Sequence, residues 1–244
     1  KVETEEIVNK IVLKLEDNRK KIENSSIFNK EYKDIIDEIF LNCKEIVGGD
    51  IETILTLYEN LISRYPNYLI EINDIESNAS QKKFNTYISK IFNYDSIKYR
   101  KFLFDLIEKI DVEICPYCNR NYVTVINTRT RKKRPQLDHF FPKSLFPLLS
   151  VSIANLIPSC SYCNQLKSDR FFPLSDNIYP YNEGIEDISY FNYKYGKSLK
   201  EINVVLNKGI NKKMDKNAEY LAIEELYKTH KNIVKDIIDK SKIY

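Results

Sequence analysis

Cys115-Pro116-Tyr117-Cys118, Leu137-Asp138-His139-Phe140, Asn155-Leu156-Ile157-Pro158 and Cys160-Ser161-Tyr162-Cys163-Asn164 follow one another in a single stretch of the chain. The outer two are C-x-x-C knuckles, and each offers two thiolates to one tetrahedral zinc at about 2.3 Å. Four sulfur ligands close the shell, so such a zinc is structural. The 41 residues between the knuckles exceed the roughly 15 to 20 of a simple zinc ribbon, which implies an inserted element between the two halves. A redox C-x-x-C or two unrelated thiol pairs are the competing readings, and the pairing of knuckles favours zinc.

The order C-x-x-C, Asp-His, Asn-Leu, C-x-x-C-Asn with Lys167 three residues on resembles the HNH, or His-Me finger, nucleases. It is most similar to the branch whose ββα core is tied by a four-cysteine zinc. Cys115 to Tyr122, Asp138 to Ser144 and the trailing Leu226-Tyr227-Lys228-Thr229-His230 further resemble the nuclease subunit of Septu-type and some retron antiphage systems. The resemblance implies a helical extension, an HNH core, and a partner ATPase of the ABC/SMC class. It also implies that Asp138 and Asn164 hold a catalytic metal, that Asn155 steadies the loop behind the histidine, and that products carry 5′-phosphate and 3′-hydroxyl ends.

Chemistry reaches the same roles by itself. Phosphodiester hydrolysis needs a base for water, a divalent ion to offset charge, and cations to hold the backbone. His139 is the one histidine in the motif region, and an ordinary pKa of about 6.5 keeps it mostly neutral at pH 7. Asp138 and Asn164 are hard oxygen donors suited to magnesium or manganese. Arg120, Lys143 and Lys167 could each reach a phosphate or equally serve as plain surface cations. Between Cys115 and Arg170 nine cations face two acids, a local +7 in a chain of net +3. That segment suits a polyanion, with nucleic acid the usual one, against the alternative of a solvated basic loop at Arg129 to Arg134. DNA is the expected partner ahead of RNA, although phosphate-tracking cations serve both. The alternative is a non-cleaving zinc-finger binding module, or a scaffold for a partner.

Outside this segment the chain reads as α+β, mostly helical, with a zinc-stapled ββα core. Residues 1–110 form a helical region, 111–175 the nuclease core, and 176–244 a hairpin and helix packing back on it. Apolar stripes at helical spacing run from Tyr32 to Ile46, Ile51 to Ile62, Phe84 to Phe92 and Tyr99 to Ile110. Cys43 lies on one of them, as a buried thiol outside the metal chemistry. The spacing predicts a strand at Tyr122 to Ile126 paired with Gln136 to Phe140 across a basic loop. It also predicts a second hairpin from Ile188 to Tyr195 and Glu201 to Leu206, and a last helix over about Asp215 to Lys240, with His230 at a cap or core edge. Gly196-Lys197-Ser198 imitates the end of a Walker motif, but Phe191 stands where its first glycine belongs, so no ATP site is expected. With no apolar run near membrane-spanning length and too few cysteines for a disulfide scaffold, the chain is expected to be cytoplasmic. It opens on Lys1, and the native start is expected further upstream.

Overall fold

The computed structural model describes residues 2–98, 101–184, 190–197 and 201–241; Tyr99, Ile188 and Ser198, which the sequence reading used, lie outside them. The chain is α+β, with many helices and small antiparallel sheets.

Six helices come first: α1 (Val2–Glu23), α2 (Lys33–Leu41), α3 (Cys43–Gly48), α4 (Ile51–Arg64), α5 (Ala79–Ile91) and α6 (Lys101–Ile110). Their starts follow from local chemistry. Asp50 accepts from the Thr53 amide at 2.8 Å to begin α4, and Asn78 with Gln81 forms a reciprocal capping box on α5. The stripe from Tyr32 to Ile46 buries as expected but belongs to two helices, not one. At Asn42 the backbone leaves helical geometry and the side chain donates to the Glu38 carbonyl at 3.0 Å, competing with the helical ladder. Cys43 is buried, and burial pushes its thiol up to about 12. Where α3 crosses α1, a Cβ on Gly48 would meet Val8 Cγ2 at 2.5 Å, so glycine permits the close approach.

The next segment differs from the expectation. Only Ile126–Asn127 (β1) pairs with Lys132–Lys133 (β2), while Gln136–His139 (β3) pairs with Leu156–Ser159 (β4). Residues just before β1 are taken instead by the first knuckle: Val123 donates to the Glu113 carbonyl and Cys115 to the Asn121 carbonyl, each at 2.8 Å. β4 is buried along its whole length, which explains why Leu156-Ile157-Pro158 shows no alternation. The β3–β4 hairpin is followed directly by helix α7 (Ser161–Lys167), which packs against β3.

Hairpin β5 (Phe191–Tyr195) and β6 (Ile202–Leu206) forms as the sequence predicts over its described part. The single last helix does not form. Ala222, at φ 48°, and a turn at Thr229 and His230 divide it into α8 (Lys212–Tyr220), α9 (Ile223–Lys228) and α10 (Lys231–Ser241).

Buried apolar side chains from the N-terminal helices, the β3–β4 segment and helices α8 and α9 form one contiguous cluster. Phe146 is a junction in it: its ring meets Tyr58 of α4 at 6.0 Å, Phe141 at 5.7 Å and Phe171 at 5.5 Å. Replacing this fully buried ring by alanine (Phe146→Ala) should cost about 3–5 kcal/mol in denaturant unfolding. A loss below about 1 kcal/mol, the scale of an ordinary surface change, would contradict this packing.

Candidate metal centre and adjoining cleft

The two knuckles meet. Cys115, Cys118, Cys160 and Cys163 are all buried and free of disulfides, with their four Sγ atoms within 4.8 Å of one another. Cys118 Sγ lies 4.0 Å from Cys160 Sγ, close to the roughly 3.8 Å edge of a tetrahedron built on 2.3 Å zinc–sulfur bonds. The donor set therefore fits a metal such as zinc. The surroundings support thiolates: Asn121 Nδ2 donates to Cys160 Sγ at 3.2 Å, and the Cys163 amide to the same sulfur at 3.5 Å. Hydrogen bonds among neighbouring sulfurs push Cys118 down to about 7 and Cys160 lower still, and push Cys115 and Cys163 up. Four thiols so crowded must share protons, and a dication in their midst would remove that need.

Cys160 is also the N-cap of α7. The cluster thus sets where α7 begins, and with it Asn164 and Lys167 relative to β3. An open cleft of about 600 Å³ lies there, lined by His139, Asp138, Asn164 and Gln136 together with Tyr94, Asp95, Lys98, Arg134, Lys143 and Asp169.

Within this cleft His139 Nε2 lies 2.9 Å from the Ser150 carbonyl oxygen. A carbonyl only accepts, so Nε2 carries the proton and Nδ1 is the ring's acceptor. Tyr94 stands edge-on to the imidazole at 4.7 Å between centroids. Burial pushes the His139 pKa down to about 4, with Lys143 and Lys167 adding to the effect and the Ser150 contact opposing it. The neutral form expected from an ordinary histidine is thus held more firmly than sequence implied.

Asn155 clamps the segment behind His139. Its Oδ1 accepts from the Phe141 amide at 2.7 Å, and its Nδ2 donates to the carbonyls of Phe141 and Leu149 at 3.0 and 2.9 Å. Asn155 itself is 1% exposed.

Asp138 lines the cleft, but its carboxylate is paired with Lys167 within the protein. Asp138 is 2% exposed; Tyr117 Oη donates to its Oδ2 at 2.6 Å, and Lys167 Nζ lies 3.3 Å from Oδ1 and 3.1 Å from Oδ2. Lys167 also donates to the His139 carbonyl at 2.6 Å, and its side chain has no exposed surface. Burial pushes the Asp138 carboxyl up and the Lys167 ammonium down, each opposed by the other's charge. As arranged, Asp138 does not suit a metal ion, because the Lys167 ammonium beside both of its oxygens opposes a second cation there. Lys167, wholly buried in that pair, does not present its ammonium to a phosphate in the cleft. Asn164 does suit one: its Nδ2 donates to Gln136 Oε1 at 2.7 Å, which leaves Oδ1 for an ion or water. Lys143, 46% exposed, faces the cleft above the Tyr94 ring.

Arg120 is likewise engaged within the protein. Its Nε donates to His230 Nε2 at 2.5 Å and its Nη2 to Thr229 Oγ1 at 3.0 Å, while Tyr227 Oη donates to the carbonyls of Cys118 and Asn119. The Leu226 to His230 stretch therefore packs on the first knuckle, 110 residues away along the chain, and His230 is a stacked, hydrogen-bonded side chain beside Tyr227. Sequence reasoning missed Tyr117, Tyr94 and the Ser150 carbonyl. Tyr117 was visible only as a spacer within a knuckle, and a backbone acceptor leaves no sequence signal.

No family model, curated protein or solved structure matches the chain. No helix among the described residues is long and apolar enough to cross a membrane.

The His139 environment makes a direct prediction. Between pH 4 and 6.5 an unfolded chain takes up a proton on this ring while the folded protein does not, so folding stability falls as pH drops through that window. In NMR titrations the His139 ring should shift with a midpoint near 4 and stay neutral above pH 6. A midpoint near the ordinary value of about 6.5 would contradict the buried, carbonyl-bound geometry.

Proposed function

We propose that this protein is an endonuclease of the HNH type, hydrolysing nucleic-acid phosphodiester bonds. The observation that carries the reading is the His139 imidazole, held neutral with Nε2 on the Ser150 carbonyl at 2.9 Å and Nδ1 as acceptor, in an open cleft edged by Lys143, Lys98 and Arg134. A hairpin followed by a short helix, stapled by four cysteines, is the framework that this chemistry uses in the resembling family.

In the proposed reaction Nδ1 takes a proton from water as the water oxygen attacks phosphorus. The bond to the 3′ oxygen breaks, and that oxygen takes a proton from solvent, giving 5′-phosphate and 3′-hydroxyl ends. Lys143 and Arg134 offer positive charge along the path of the backbone. A magnesium or manganese ion, when bound, would offset charge on the phosphoryl oxygens. Asn164 Oδ1 is the donor open to it, and Asp138 joins only once Lys167 releases its carboxylate. The wider proposal is an antiphage effector acting with an ABC/SMC-type ATPase. Leu13 and Leu41, 64% and 84% exposed, are apolar side chains on the helical layer that such a partner would cover.

The closure of Asp138 by Lys167 favours a second reading, a zinc-finger module that binds nucleic acid without cutting it. Incubating the protein with plasmid, single-stranded DNA and tRNA, with and without magnesium, separates the two. His139→Ala should keep its zinc and its fold, at a cost of about 1–3 kcal/mol for the Ser150 carbonyl left without its partner, while cleavage falls by at least about a hundredfold. A folded His139→Ala protein that cuts at the original rate would remove the mechanism, and an unmutated protein that cuts none of the substrates would leave the binding module.

A further inference from the structure

We infer that the groove leading away from His139 is a track for an unpaired nucleic-acid strand, with Tyr122 and Tyr162 as stacking platforms for its bases. The inference rests on the nuclease reading for what happens at His139, and names the substrate class that site would take.

The cleft at His139 has a neighbour on the far side of Gln136. Arg134 and Gln136 line both it and a neighbouring depression of about 350 Å³, whose walls include Tyr122 and Tyr162. From His139 to Gln136 is three strand residues, about 10 Å at the usual rise, so a chain whose phosphate lies at His139 passes the tyrosines within a few nucleotides.

The two rings are unlike the protein's other large apolar groups. Tyr122 is 77% and Tyr162 60% exposed, and among the described residues neither has a ring partner or a side-chain hydrogen bond. Yet their backbones are tethered at the cysteine cluster. Tyr162 lies between two of the cluster cysteines, and Tyr122 follows Asn121, whose carbonyl takes the Cys115 amide and whose side chain donates to Cys160 Sγ. Tyr122 also bridges to Ile114 across the knuckle. A ring exposed on a rigid mount loses little conformational entropy when something stacks on it.

What stacks there is read from the charge. Arg129, Arg131, Lys132 and Lys133, on the exposed β1–β2 hairpin next to this depression, make no ion pair among the described residues. Unneutralised cations beside uncovered aromatic rings match a polyanion that also presents flat apolar faces, as an unpaired strand does. A duplex offers the phosphates but buries its base faces in its own stack, so it needs the cations and not the tyrosines.

The test measures binding of fluorescein-labelled single-stranded DNA, single-stranded RNA and duplex DNA to the zinc-loaded protein, with no added divalent metal. The unmutated protein should prefer a single strand to the duplex, and the preferred sugar tells which source supplies the unpaired bases. Tyr122→Ala and Tyr162→Ala should each weaken single-strand binding about 5- to 100-fold, while Tyr122→Phe and Tyr162→Phe retain it and duplex binding is unchanged. Alanine variants that bind single strands as the parent does, or a parent that prefers duplex, would overturn the inference. Tyrosine-dependent strand binding without cleavage of any substrate would uphold it and sink the nuclease proposal. Cleavage indifferent to both tyrosines would do the reverse.

Discussion

Four sulfur atoms from two parts of the chain 42 residues apart come within 4.8 Å of one another, and most of the candidate site is placed by that convergence. Without a bound cation, the four thiols compete for protons in a buried space. A zinc ion in such a shell contributes about 10–16 kcal/mol of apparent binding energy, as large as the whole net stability of an ordinary domain, about 5–15 kcal/mol. The cluster therefore does more than decorate the surface. Cys160 caps α7, the β3–β4 hairpin lies within the loop that the sulfurs close, and the rings of Tyr122 and Tyr162 are mounted on its edges.

Beneath this staple lies a second constraint. Tyr117, Asp138 and Lys167 form a closed polar group, with Lys167 reaching both the Asp138 carboxylate and the His139 carbonyl. An ion pair removed from water is held at a desolvation cost, but removing one partner alone leaves the other charge buried, which costs about 3–5 kcal/mol. The pair thus locks α7 to β3 and sets the end of the strand where the imidazole begins. Its ammonium sits where a metal-binding carboxylate would need an open face, so the same contact that shapes the site also governs what Asp138 can bind.

Much of this was legible in the sequence, for reasons specific to each residue. Paired cysteine knuckles have few other uses, and they do converge. The stripes through Ile35, Ile39, Ile54, Tyr58 and Leu61 bury as a helical period demands. The pairing of β3 was not legible, because β4 is buried throughout and carries no alternation, while the residues before β1 look equally strand-like. The breaks at Asn42 and Ala222 involve neither proline nor glycine. Arg120 and Lys167 read as phosphate contacts or plain surface cations because charge is normally solvated; one instead holds His230 and Thr229, and the other is enclosed with Asp138.

X-ray absorption at the zinc edge, on protein purified with its native metal content, tests the convergence of the knuckles most directly. The account predicts one zinc per chain with four sulfur neighbours at about 2.3 Å and no nitrogen or oxygen ligand. A shell containing nitrogen or oxygen, zinc far below one per chain, or disulfides among these cysteines would contradict it.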